Sequence, residues 1–203
     1  METTDRVMAP AKRAVLSESL KLFATRGVEA VSIRDIAAAT GFTNPALFRH
    51  FPSKDALAFT LFETCYRRFV RALRTANAST DLRNWLSAAL TEIDDCPEAV
   101  HFLLENLKTY WPRLPDDLKD LNIPSLSRVM LEREQREGRM RADLNIRLAN
   151  VLILGALAQL ARSAHFHETT LNVEALAENL AGLLLRGLGV DAQAEAIGNA
   201  PCS

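Results

Sequence analysis

The chain has 203 residues, 48% of them hydrophobic, 24% charged and 6% aromatic, with a formal charge of −1. That much apolar material supports one or two cored domains, which excludes a disordered chain and a staple-dependent miniprotein, and the near-zero charge names no partner. Cys65, Cys96 and Cys202 are far apart and form no CxxC pair, which argues against a disulfide framework or zinc finger and fits a reducing cytoplasm.

The first residues are acidic and carry no apolar core, so they do not read as a secretory signal. Residues 10–26 predict an amphipathic helix with Leu16, Leu20 and Phe23 on one stripe, ended by Gly27. A short helix at 33–39 opens on Ser32 with Asp35 three positions on, close to a capping box, and stops at Gly41. A second short helix at 45–51 has Asn44 placed to cap it and Pro45 at the permitted first position. Ser53 caps a long helix at 55–75, and the polar run 77–80 marks a boundary between two parts. Helices follow at 82–93, 97–111, 124–137, 144–165 and 173–188, with a broken segment at 116–121 and a frayed tail at 191–203. The fold class is all-α. The longest apolar stretch, 148–161, is interrupted by Asn150, Gly155 and Gln159 and falls short of the roughly 18 residues a bilayer span needs. A soluble protein with no membrane partner is expected.

Charge is uneven along the chain. Residues 1–75 hold 12 Lys and Arg against 7 Asp and Glu, whereas residues 76–203 hold 12 against 18. A basic front and an acidic back suggest two tasks, the first facing an anion such as DNA.

Two short helices joined by a tight glycine turn, behind an amphipathic helix, describe a helix-turn-helix over residues 31–57. Ile36 and Ala37 face inward, and Leu47 with Phe51, one turn apart, anchor the second short helix. At 100° per residue Pro45, Ala46 and Arg49 then point outward, with Phe48 and His50 on the flanks. Such a bare face suits close approach to base edges. Arg49 can bind guanine O6 and N7 in bidentate fashion, and Ala46 or Pro45 can touch a thymine methyl. His50, Lys54 and the backbone at Ser32 and Thr43 are expected to hold phosphates. Arg34, Asn44 and Phe48 complete the expected DNA-binding set.

The segment resembles the TetR/AcrR family of bacterial transcription regulators. The resemblance rests on Phe23, Gly27, Ser32, Ile33, Arg34, Asp35, Ile36, Ala37, Gly41, Leu47, His50, Phe51, Lys54 and Leu57, and covers about a quarter of the chain. Phe48 departs from the tyrosine usual there, whose hydroxyl meets a phosphate. The resemblance implies an N-terminal three-helix DNA-binding domain and a C-terminal helical ligand-binding and dimerisation domain. It also implies a homodimer on a palindromic double-stranded operator, released by a small-molecule effector. On that basis residues 1–53 form the DNA-binding domain, 54–76 a connecting helix and 77–190 the second domain.

In the second part, the helix at 144–165 is apolar nearly all round, so it needs cover on two sides. A four-helix dimer seam built with the helix at 173–188 supplies that cover, through Val151, Leu154, Gly155, Leu176, Leu180 and Leu184, with Ala156 and Gly182 allowing close crossings. Trp85, Phe102, Asn106, Tyr110 and Met130, with Trp111 and Glu105 nearby, are the candidate effector contacts for a mainly apolar ligand. Arg67, Arg71 and Arg74 lie about 20 Å or more along the helix from Lys54, so they read as a solvated face and not a DNA contact. His165 and His167 point about 200° apart, and His101 is read as having no cysteine or carboxylate at ligand spacing, so no metal or cofactor is expected. Cys65 and Cys96 read as inert thiols. No GxSxG, HExxH or glycine-rich phosphate loop supports an enzyme. The alternative reading is a helical interaction or small-molecule-binding protein without DNA-binding activity.

Overall fold

In a computed structural model, which describes residues 10–79, 81–168 and 170–186, every regular element among the described residues is helical. Helix α1 (Pro10–Arg26) turns its Val15, Leu16 and Phe23 stripe into the core. Helix α2 (Ile33–Thr40) is opened by a closed capping box. The Ser32 backbone N–H and hydroxyl both donate to Asp35 Oδ2 at 2.7 Å, and the Asp35 N–H donates back to Ser32 Oγ at 3.2 Å. These bonds from Ser32, the backbone one foremost, hold the Asp35 carboxyl below its usual pKa. Gly41 ends α2 with φ at 73°, a left-handed turn in which glycine carries no steric penalty.

Helix α3 (Asn44–His50) begins one residue earlier than the sequence predicts. Thr43, not Asn44, is its N-cap, because the Thr43 hydroxyl accepts from the Ala46 N–H at 3.4 Å, and Asn44 becomes the first helical residue. Leu47 and Phe51 are buried, as their one-turn spacing requires.

Helix α4 (Lys54–Ser79) runs through the polar stretch read as a boundary. The Asn77 side chain is buried and donates to the Leu126 carbonyl at 3.2 Å, so a polar residue that looked like a linker serves as a cross-helix tie. Helices α5 (Leu82–Asp95), α6 (Pro97–Tyr110), α7 (Asp116–Lys119), α8 (Ile123–Arg136), α9 (Ile146–His165) and α10 (Val173–Arg186) complete the described chain, with a 3-10 turn at Trp111–Arg113. The last two positions expected in α10, the tail and Cys202 lie outside the described residues.

One continuous apolar core links all of these helices, from Val15 in α1 to Leu184 in α10. Helix α5 sits at its centre and touches α4, α6, α8, α9 and α10. Buried Glu134 of α8 fastens the start of α5 by accepting from the Leu82 N–H at 3.2 Å, while Arg139 neutralises it at 2.8 Å. Two arginines of α4 are paired with acids: Arg67 bridges Glu63 and Asp117, and Arg68 bridges Glu92 and Asp95. Arg67 is thus an inter-helix tie more than part of a solvated face.

Helix α9 starts two residues later than the sequence predicts and contains the whole apolar stretch 148–161. Its 20 residues are long and apolar enough to cross a membrane by length and composition alone, a test that a core helix passes as well. Asn150 lies mid-helix, where its amide donates to the Pro124 carbonyl at 3.1 Å. One face of α9 packs on α6, α8 and α5, and the other stands open.

Candidate nucleic-acid interface and interior cavity

The outward face of α3 follows from its anchors. With Leu47 and Phe51 held in the core, Pro45, Phe48, Arg49 and His50 are exposed, Phe48 at 47%, while Asn44 and Ala46 are half-buried at the edge. Arg49 makes no ion pair among the described residues, nor does exposed Arg34 on α2. Elsewhere the chain readily pairs its arginines, as with Arg67, Arg68, Arg83, Arg113 and Arg139. The guanidinium of Arg49 is therefore free to meet an external acceptor.

Two expected phosphate contacts have partners inside the chain. The Ser32 backbone N–H is engaged in the capping box, as is its hydroxyl. Lys54 donates to the carbonyls of Val28 at 2.7 Å and Glu29 at 3.2 Å, which locks the start of α4 to the loop between α1 and α2. Thr43 is exposed and uses its hydroxyl only as an acceptor, so its proton remains to donate.

The start of α4 is also clamped from the other side. Arg113, in the 3-10 turn, holds both oxygens of Asp55 at 2.9 Å and lies over the rings of Phe59 and Tyr110 at 4.4 and 5.3 Å. Phe23 of α1 stacks on Phe102 of α6 at 6.1 Å. Helices α4 and α6 thus connect the helix-turn-helix mechanically to the rest of the chain.

Between α4, α5, α6, α8 and α9 lies a cavity of about 710 Å³. Tyr66 and Phe69 of α4, Ile93 of α5, Val100, Leu103 and Leu104 of α6 and Leu157 of α9 form much of its wall. None of the five expected effector contacts lines it. Trp85, Phe102 and Met130 are fully buried in the core, Tyr110 packs on Phe59 and Phe62, and the Asn106 amide donates to the Phe102 carbonyl of its own helix at 2.9 Å. The reason is helical geometry. Residues 102, 106 and 110 form one stripe of α6 that faces α1 and α4, whereas 100, 103, 104 and 107 form another that faces the cavity. Tyr66, Phe69 and Trp111 are the cavity's aromatics, with Tyr66 and Trp111 set edge to face at 5.6 Å. Trp111 stands among the aromatics that the sequence singles out, whereas neither spacing nor type distinguishes Tyr66 and Phe69.

The seam residues divide similarly. Val151 is 63% exposed and Gly155 is open, and Leu148 and Leu152 widen the same apolar face of α9. Leu154 instead lines the cavity, Leu184 is buried because α10 packs on α5, and Leu176 and Leu180 are half-buried; exposed Leu183 takes the outward place on α10.

His101 is not isolated, since it stacks on His165 at 4.1 Å with Phe166 edge-on, and burial lowers its pKa foremost, helped by His165. Among the described residues no three His, Cys, Asp or Glu side chains converge to hold a metal. Burial pushes the Cys65 thiol up to about 12 and raises Cys96 as well, so both remain poor nucleophiles.

Residues 15–61 match the family described as bacterial regulatory proteins, tetR family. The HTH-type transcriptional repressor KstR2 of Rhodococcus jostii is 28% identical over 148 residues, spanning 66% of this chain and 70% of that one. The HTH-type transcriptional repressor Rv3405c of Mycobacterium tuberculosis is 38% identical over 77 residues, spanning 36% of this chain and only 41% of that relative. Among solved structures, the TetR family transcriptional regulator PfmR from Thermus thermophilus superposes with a TM-score of 0.73 at 26% identity, covering 86% of this chain and 98% of that one.

Proposed function

Because the chain belongs to the tetR family of bacterial regulatory proteins and is a DNA-binding transcriptional regulator, not an enzyme, we propose that it is a cytoplasmic, effector-responsive repressor. As a homodimer it holds a palindromic operator with two copies of α3, and it lets go when a mainly apolar molecule fills the interior cavity. The observation that carries this reading is the outward face of α3, where small or apolar side chains surround an arginine with no carboxylate partner. That face suits a major groove: Arg49 for guanine, Pro45, Ala46 and Phe48 for thymine methyls, and Arg34, Thr43 and His50 for the flanking backbone.

Helices α1–α3 then form the DNA-reading unit, α4 the connection, and α5–α10 the effector and pairing unit. Coupling has a physical route. The cavity wall includes Tyr66 and Phe69 of α4, and the first turn of that helix is bonded to the α1–α2 loop through Lys54 and to the end of α6 through Arg113. A molecule that pushes α4 and α6 apart changes the angle at which each α3 is presented, and two half-sites one helical turn apart tolerate little change.

The open apolar face of α9 supports pairing with a second copy, since a surface helix of a lone subunit would carry polar residues there. Val151→Arg should set two guanidinium groups against each other across the two-fold axis. It is expected to convert the dimer to monomers in sedimentation velocity. Affinity for a duplex from upstream of the protein's own gene, read by fluorescence anisotropy, should fall on the order of a hundredfold. An unchanged dimer would show that this face is not the seam.

A further inference from the structure

The interior cavity is polarised from floor to rim. Tyr66, Phe69, Ile93, Val100, Leu103 and Leu157 are buried and form the floor, whereas Leu107, Lys108, Pro112 and Pro124 are exposed and form the rim. A hydrocarbon alone would satisfy most of this lining but not two groups within it.

The first is the Tyr66 hydroxyl. Tyr66 is 2% exposed, and its Oη is buried with no hydrogen-bond partner. The Ile123 amide lies near enough to favour the ionised phenol slightly, but not at hydrogen-bond geometry, and burial pushes the pKa up to about 12. The phenol therefore stays protonated, a donor in the floor that nothing in the chain accepts and that a ligand oxygen reaches when the floor yields around it. Asn122, the other neutral polar side chain on the wall, is already engaged: its oxygen accepts from the Ser125 N–H at 2.9 Å and its amide donates to the Lys119 carbonyl at 3.1 Å.

The second group is Lys108, the one charged residue on the wall among the described residues, with no ion pair among them. No carboxylate lines the cavity to receive a cation. An anion at the rim gains from the ammonium while its charge stays in contact with water, which avoids the large cost of burying it.

We propose that the cavity takes a bipolar amphiphile, with an anionic group at the rim beside Lys108, an apolar body between α4 and α9, and an oxygen acceptor at the floor for Tyr66. The inference rests on the reading of this cavity as the effector site, and it fixes the chemical class of the effector. Chain acids bearing a terminal hydroxyl have that design in its simplest form.

The test uses the full-length protein and titration calorimetry with dodecanoate, methyl dodecanoate, and ω-hydroxy acids of eight to fourteen carbons. Dodecanoate should bind about tenfold tighter than its ester, and Lys108→Met should erase that difference while leaving the ester unaffected. One length of ω-hydroxy acid should bind about fivefold tighter than the plain acid of equal length, and Tyr66→Phe should remove that gain alone. Equal binding of acid and ester, or a hydroxyl gain that survives Tyr66→Phe, overturns the bipolar assignment and leaves the cavity an effector site of another class. If no probe of either kind binds, the effector reading of the cavity falls with it.

Discussion

Arg49→Ala should remove most of the specific affinity for the operator while leaving the fold intact. Arg49 is exposed on α3 and touches no carboxylate, so its loss disturbs no packing and no ion pair in the free protein. A bidentate arginine–guanine contact discriminates by about 1–3 kcal/mol, and a dimer makes it twice, so roughly 2–6 kcal/mol is at stake per operator. The loss should be confined to specific duplexes, with weak non-specific binding and its salt dependence largely retained. Base preference should relax at one position in each half-site. Arg49→Lys should rescue little, because an ammonium lacks the planar fork. A variant that bound operator and random duplex as the parent does would remove Arg49 from the base-reading role.

Trp85→Ala should cost about 3–5 kcal/mol of stability, enough to unfold a large share of the protein at moderate temperature. Trp85 is fully buried in the first turn of α5, the helix around which α4, α6, α8, α9 and α10 pack. Its indole N–H finds no partner, so the residue contributes through volume and apolar area and not through a hydrogen bond. Trp85→Phe should therefore cost much less than the alanine variant, since it keeps most of the ring volume and removes an unpaired donor. Both substitutions should leave effector selectivity unchanged in whatever fraction remains folded. Thermal unfolding followed by circular dichroism checks the first expectation. Normal stability combined with altered ligand binding would return Trp85 to the cavity wall.

The parts of the molecule legible in the sequence are those set by local chemistry. Ser32 with Asp35, Gly27, Gly41 and Ser53 act within a turn of themselves, so the starts and stops of the first helices could be read directly. Leu47 and Phe51 sit one turn apart and define the inward side of α3, which places Arg49 outward by geometry alone. Adjacent capping candidates were harder to separate. Thr43 and Asn44 can both cap, and the structure selects the threonine.

Choices that depend on distant partners were not legible. The Asn77 amide reads as a linker until Leu126 is known to lie beside it. Lys54 reads as a free cation until the carbonyls of Val28 and Glu29 are brought to it. On α6, the stripe at 102, 106 and 110 and the stripe at 103, 104 and 107 are both largely apolar, so periodicity alone cannot say which one meets the core and which the cavity. The aromatics conspicuous in the sequence are mostly core, whereas the cavity is walled mainly by leucine, isoleucine and valine with Tyr66 as its one buried donor.

Sedimentation equilibrium of the protein on a duplex from upstream of its own gene, at low ionic strength, bears on the whole account at once. A complex whose mass corresponds to whole pairs of chains on the duplex, absent from a random duplex of equal length at moderate salt, is the predicted result. A single chain bound to the duplex, or no complex with any duplex at low salt, would contradict it.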